Sequence, residues 1–146
     1  MKIVLGADHA GYPLKTILLM FLKSEGHEVL DLGTHSADPV DYPDYARMIG
    51  EAVQQGRAER GVIVCGSGVG ACVAANKLLG IRAALCHETY TAHQGVEHDD
   101  INVLCLGGRV VGPALAQDIL RAWLAARFTK EERHQRRLDK VKALER

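Results

Sequence analysis

The sequence predicts an α/β fold: a Rossmann-like three-layer α/β/α sandwich with a five-stranded parallel sheet and an additional C-terminal helix. Three observations predict it. Five short apolar runs alternate with segments of helical period, and runs this uniformly apolar must be covered on both faces. Right-handed crossovers through the intervening helices connect such strands. Each run also ends in a polar or glycine-rich tip, and open α/β sheets bind ligands beyond the carboxyl ends of their strands.

The elements follow in order. Lys2 to Ala7 reads as a buried strand, and Tyr12 to Glu25 as a helix with Pro13 in its first turn and Gly26 just past its end. Leu14, Ile17, Leu18, Phe21 and Leu22 fall on one face of that helix. Glu28 to Leu32 is a strand, and Tyr42-Pro43 opens a helix that ends near Gly56. Gly61 to Cys65 is a third strand, followed by a short helix from Ala71 to Leu79 and a strand from Arg82 to Cys86. A helix from Thr89 to His98 leads to the strand Asn102 to Leu106, and Pro113 to Phe128 is a long helix. The segment from Lys130 to Arg146 reads as a further helix with Leu138, Val141 and Leu144 on one side. Residues 1–146 are expected to form one domain, with 129–146 as its helical extension, because 146 residues at 47% hydrophobic content suit one sizeable core.

Composition removes several classes. Eighteen basic against eighteen acidic residues leave no field that would attract nucleic acid. No apolar run approaches membrane-spanning length, and Met1 to Leu5 is too brief for a signal peptide, so a cytoplasmic location is expected. Cys65, Cys72, Cys86 and Cys105 form no CxxC pair, which supports neither a disulfide framework nor a structural zinc site. Cys72, Cys86 and Cys105 read as buried free thiols.

Cys65 differs. The run Cys65-Gly66-Ser67-Gly68-Val69-Gly70 follows a strand and opens a helix, placing a thiol, a hydroxyl and unhindered backbone amides together. Such amides and the positive end of a helix favour an anion, including a thiolate. The same stretch satisfies GxGxxA from Gly66 to Ala71, with Glu88 near the place of a ribose-binding acid, so a nucleotide-binding regulatory module competes. Against it, the pattern follows the third strand rather than the first. It is neither a P-loop nor a GxSxG elbow, and a structural glycine turn is the remaining plain reading.

The other tips carry Asp8-His9-Ala10-Gly11, His87-Glu88 and Gly107-Gly108-Arg109. Glu97-His98-Asp99-Asp100 alone reads as a solvated helix end, and His93 and His98 do not share a face suited to a metal. Arg133-His134-Gln135-Arg136-Arg137 reads as a basic face on which Arg133 and Arg137, four apart, project together and suit a phosphate.

Taken together, Gly6 to Gly11, Asp41-Tyr42-Pro43, Cys65 to Gly70 with Ala74-Ala75-Asn76-Lys77, Gly80-Ile81-Arg82-Ala83, Glu97 to Leu104, Gly107 to Gly112 and Arg133 to Arg137 resemble the type B ribose-5-phosphate isomerases over nearly the whole chain. The wider group includes galactose-6-phosphate isomerase subunits. This resemblance implies metal-independent isomerisation of ribose 5-phosphate to ribulose 5-phosphate through an enediolate, with no cofactor, in a homodimer or tetramer whose sites are shared between subunits. It assigns Cys65 as base, Ser67 as the proton-handling hydroxyl, His98 to ring opening and the amides of Gly66, Ser67, Gly68, Val69 and Gly70 to the oxyanion hole. Asp8, His9 and Tyr42 would line the site, with Arg109, Arg133 and Arg137 holding phosphate. Ala71 stands where one branch of the family carries a Glu base, which places this chain on the cysteine branch. Asp99 stands where Asn is common. An ionised carboxylate only accepts, so Asp99 would be protonated, turned toward a sugar hydroxyl, or outside the oxyanion hole. A four- or six-carbon aldose phosphate is the alternative substrate, although His98 argues against the galactose-phosphate subunits, which lack it.

Overall fold

In the computed structural model, which describes residues 1–146, one parallel sheet is formed by β1 (Lys2–Ala7), β2 (Glu28–Asp31), β3 (Arg60–Cys65), β4 (Ala83–Leu85) and β5 (Val103–Gly107). The strand order is β2-β1-β3-β5-β4, with Leu5 opposite Asp31 and Val62, and Ile63 opposite Cys105. The helices are α1 (Tyr12–Ser24), α2 (Tyr42–Gln54), α3 (Val69–Ala75), α4 (Thr89–Asp99), α5 (Pro113–Ala125) and α6 (Glu132–Lys142). None is long and apolar enough to cross a membrane.

The period of two along each strand divides the core. Ile3, Leu5, Ala7, Val62, Val64, Leu104 and Leu106 face α1, α4 and α5, where Leu18, Val96, Ile119 and Trp123 cover them. Val4, Ile63, Cys65, Val103 and Cys105 face α2 and α3 and meet Ile49, Ala52, Ala71 and Ala75. Both faces of the sheet are therefore dry, as the uniform apolar runs require.

Side chains that the apolar pattern does not weigh set several boundaries. Helix α3 starts at Val69, because left-handed Gly68 (φ 83°) makes the turn, and stops at Ala75. Immediately afterwards Asn76 turns to β4, donating to Ala83 O at 2.9 Å and accepting from Ala83 N at 2.8 Å. Helix α5 ends at Ala125 rather than Phe128, since the buried Arg60 guanidinium takes the Trp123 and Ala126 carbonyls. Burial, then the Arg127 charge, lowers the Arg60 pKa from its ordinary value.

Two expected apolar faces are narrower in the structure. Ile17 is 40% exposed on α1, and Lys15 is buried instead, with Nζ 2.8 and 3.0 Å from the Asp31 carboxylate and 2.8 Å from Thr34 O. Of the three apolar residues expected on the last helix only Leu138 is covered; Val141 and Leu144, the latter beyond the end of α6, are exposed.

Candidate active site

Strands β1 and β3 are neighbours, yet the chain leaves β1 toward β2 on one side and returns across to β3 on the other. Such a switch point opens a crevice at the carboxyl ends of the strands. Here it is a cleft of about 420 Å³ lined by Asp8, His9, Ala10, Tyr42, Cys65, Gly66, Ser67, Gly70, Arg109 and Val110. Four separate segments of chain supply it.

Cys65 ends β3, and its Sγ accepts the Gly68 N–H at 3.1 Å. A donor aimed at sulfur stabilises its anionic form. Gly68 can make that bond because its left-handed backbone turns the amide back; a Cβ there would lie 2.5 Å from Leu85 Cδ1 and 3.0 Å from the Leu106 carbonyl carbon. Ser67 is exposed, and its Oγ accepts the Val69 N–H at 3.2 Å. Of the five amides the resemblance assigns to an oxyanion hole, Gly68 and Val69 are thus engaged within the loop. Those of Gly66, Ser67 and Gly70 have no internal partner.

The neighbouring tips are held as tightly. Asp8 Oδ1 accepts the Gly11 N–H at 2.9 Å, which fixes the turn into α1. His9 Nδ1 accepts the Val40 N–H at 3.1 Å, so its proton resides on Nε2 and the ring offers a donor. Tyr42 lies over Gly70, where a Cβ would come within 2.5 Å of the phenol ring. Gly108 N–H donates to Cys65 O at 2.7 Å and Arg109 N–H to Gly66 O at 3.0 Å, clamping the cysteine loop to the end of β5. Arg109 is exposed and unpaired, with its guanidinium beside Gly66.

His98, Asp99, Arg133 and Arg137 lie elsewhere. Helix α4 follows β4 and precedes β5, so its last turn returns to the amino end of the sheet, where Arg82 binds Asp100 at 2.9 Å. Helix α6 lies at that end too, since Thr129 N–H donates to Glu97 O at 3.0 Å. The length of the strands, roughly 17 Å for five residues, separates this group from Cys65. Arg133 pairs with Glu131, whereas Arg137 is exposed without an ion pair.

Sequence reasoning missed His134. It read as part of a solvated basic face, yet it is only 3% exposed and its ring stacks on His98 with centroids 4.0 Å apart. The available signal was Leu138, four residues on and therefore on the same helix face. Cys72 is also more than an inert core thiol. It is half-buried, and a hydrogen bond with Cys105, aided by Leu85 and Asn76, lowers it to about 7. Fully buried Cys105 is raised by the same bond and by desolvation.

Glu88 serves as a helix cap. Both its carboxylate oxygens accept the Thr91 N–H, at 3.0 and 3.1 Å, capping α4, and this hydrogen bond lowers its pKa. No group of three or more His, Cys, Asp or Glu side chains is arranged to hold a metal ion.

Known proteins share this architecture. Ribose-5-phosphate isomerase B of Escherichia coli (strain K12) is 45% identical over 144 residues, covering 99% of this chain and 96% of its own. The D-erythrulose-4-phosphate isomerase of Pectobacterium atrosepticum is 42% identical over 132 residues, covering 88% and 85%. The solved ribose-5-phosphate isomerase B of Clostridium thermocellum superposes with a TM-score of 0.96 at 49% identity, covering 99% of this chain and 97% of that one. The profile of the Ribose/Galactose Isomerase family matches residues 3–141, and the chain belongs to that family.

Proposed function

We propose that the protein interconverts ribose 5-phosphate and ribulose 5-phosphate through an enediolate, without a metal or other cofactor. The observation that carries this reading is Cys65 Sγ held by the Gly68 amide in a cleft that also presents Ser67, free backbone N–H groups and Arg109. A thiolate there removes the proton from C2 of the open aldose. Electrons from that bond form the C1–C2 double bond, and the former carbonyl oxygen becomes an oxyanion facing the amides of Gly66, Ser67 and Gly70. Ser67 carries the proton between O1 and O2, and the thiol returns its proton to C1.

A homodimer with shared sites completes the set. Within one chain His98, Asp99, Arg133 and Arg137 lie at the opposite end of the sheet from Cys65. A two-fold axis can bring that end of one protomer to the cleft of the other. His98 then opens the furanose ring, contacts to the sugar hydroxyls fall to Asp8 and His9 of the first protomer, and Arg133 and Arg137 join Arg109 around the phosphate. Four free cysteines support action in the reducing cytoplasm.

A four-carbon aldose phosphate is the second reading, supported by the Pectobacterium relative. Incubation with ribose 5-phosphate in deuterated water with a chelator tests the proposal. Ribulose 5-phosphate carrying deuterium at C1 is expected; no turnover, with turnover of a four-carbon aldose phosphate, transfers the assignment to the second reading. Tight dinucleotide binding without either activity overturns both.

A further inference from the structure

The rings of His98 on α4 and His134 on α6 lie 4.0 Å apart with planes inclined at 27°. Each ring is fixed by a separate bond. His134 Nδ1 is 2.7 Å from Thr129 Oγ1, and His98 Nδ1 is 2.8 Å from Gln94 Nε2. The Gln94 side-chain amide thus occupies Nδ1 of His98 and leaves Nε2 as the nitrogen open to proton exchange. Burying an imidazole on a helix as polar as α6 loses hydration, and the stack on His98 and the bond to Thr129 receive it.

Charged groups surround the pair. Arg133 and Arg137 lie on α6 with Glu131 at its start, and α4 contributes Asp99 and the His93–Glu97 pair. Burial first, then the charges of His98 and Arg133, lowers His134 below the ordinary imidazole value. Two stacked imidazolium rings would repel, whereas a neutral ring face attracts a cation above it.

We propose that His134 is a positioning residue for ring opening: a neutral, buried platform that holds the His98 ring with its Nε2 free to exchange a proton with the sugar. This rests on the assignment of ring opening to His98. In opening the furanose, the His98 imidazolium delivers its Nε2 proton to the ring oxygen as the bond from C1 to that oxygen breaks and is left as neutral imidazole; the C1 hydroxyl gives its proton to water, and the carbonyl forms.

Two reactions of the intact assembly separate the roles. Ribulose 5-phosphate is acyclic, so exchange of its C1 hydrogen with deuterated water needs the Cys65 step alone. His134→Ala is expected to lower isomerisation of ribose 5-phosphate about tenfold or more while exchange falls less than about threefold. His134→Phe keeps an uncharged aromatic platform and is expected to recover most of the lost isomerisation. His134→Lys places a fixed charge beneath His98 and is expected not to. Equal losses in both reactions, or a Phe variant no better than Ala or Lys, would overturn the inference. A wild-type protein that performs neither reaction overturns the parent reading instead, and His134 falls with it.

Discussion

The Gly68 N–H points at Cys65 Sγ across 3.1 Å, so the loop that follows the cysteine supplies its own anion donor. If the thiolate is the base, Cys65→Ala should lower kcat by about 10³ or more while ribose 5-phosphate still binds. Gly68→Ala keeps the thiol but forces a side chain into left-handed backbone against Leu85 and Leu106. That strain, of order 1–3 kcal/mol, should displace the amide and cost about ten- to a hundredfold in kcat. Steady-state kinetics and sugar-phosphate binding by calorimetry check both; near-normal turnover of Cys65→Ala removes Cys65 from the mechanism.

The Lys15–Asp31 pair is a structural counterpart to that loop. Lys15 is 2% exposed and binds Thr34 O as well as Asp31, whose Oδ1 also accepts the Gly33 N–H at 2.9 Å. Asp31→Ala leaves a buried ammonium with one carbonyl partner and should destabilise the fold by about 3 kcal/mol, the low end for a broken buried pair. Asp31 keeps 21% of its side-chain surface, which is why the low end applies. Urea midpoints with an unchanged m-value check this. A loss below about 1 kcal/mol would mean that water reaches Lys15 freely.

The strands, the three layers and the place of the cleft at the strand tips were legible because they depend on short-range pattern. Apolar runs such as Val62-Ile63-Val64 name a strand covered on both faces, and Gly66-Ser67-Gly68 after it names a turn that opens a helix. What stayed hidden depends on contacts between distant segments. Lys15 looks like any helical lysine until Asp31 and Thr34 come within reach, and Arg60 gives no sign that it will cap α5. His134 was hidden twice, once by its charged neighbours and once because its partner His98 belongs to another helix. The linear order also conceals that Cys65 and His98 end at opposite ends of the sheet, a consequence of each helix returning the chain to the amino end.

His134 should leave a trace in the pH dependence of stability. Its folded-state pKa lies below the 6.5 of a free imidazole, so the unfolded chain binds more protons than the folded one just below that value. Stability therefore rises with pH through this window, is full above about 6.5, and is lost as pH falls toward the lowered value. Urea unfolding at about pH 7.5 and about pH 5.5, at fixed protein concentration, should show a smaller acid loss for His134→Phe than for wild type. The five histidines outside the stacked pair contribute to both proteins alike. An identical acid loss in the two would mean that His134 is free to protonate in place.

Separation of Cys65 and His98 by the length of the strands makes a prediction that no single-chain site shares. If the proposed homodimer shares its sites, Cys65→Ala and His98→Asn should each inactivate both sites of a dimer of that variant on cyclic ribose 5-phosphate. In a heterodimer of the two, one site receives both lesions and the other receives an intact Cys65 from one protomer and an intact His98 from its partner. Equal mixing with subunit exchange gives heterodimers in about half the population, so activity should return to about a quarter of wild type. Denaturation and joint refolding, followed by a ribose 5-phosphate assay, measures it. Activity that remains at the level of the separate variants would require both residues to serve one site within one chain, which the topology can allow only if α4 and α6 leave the amino end of the sheet.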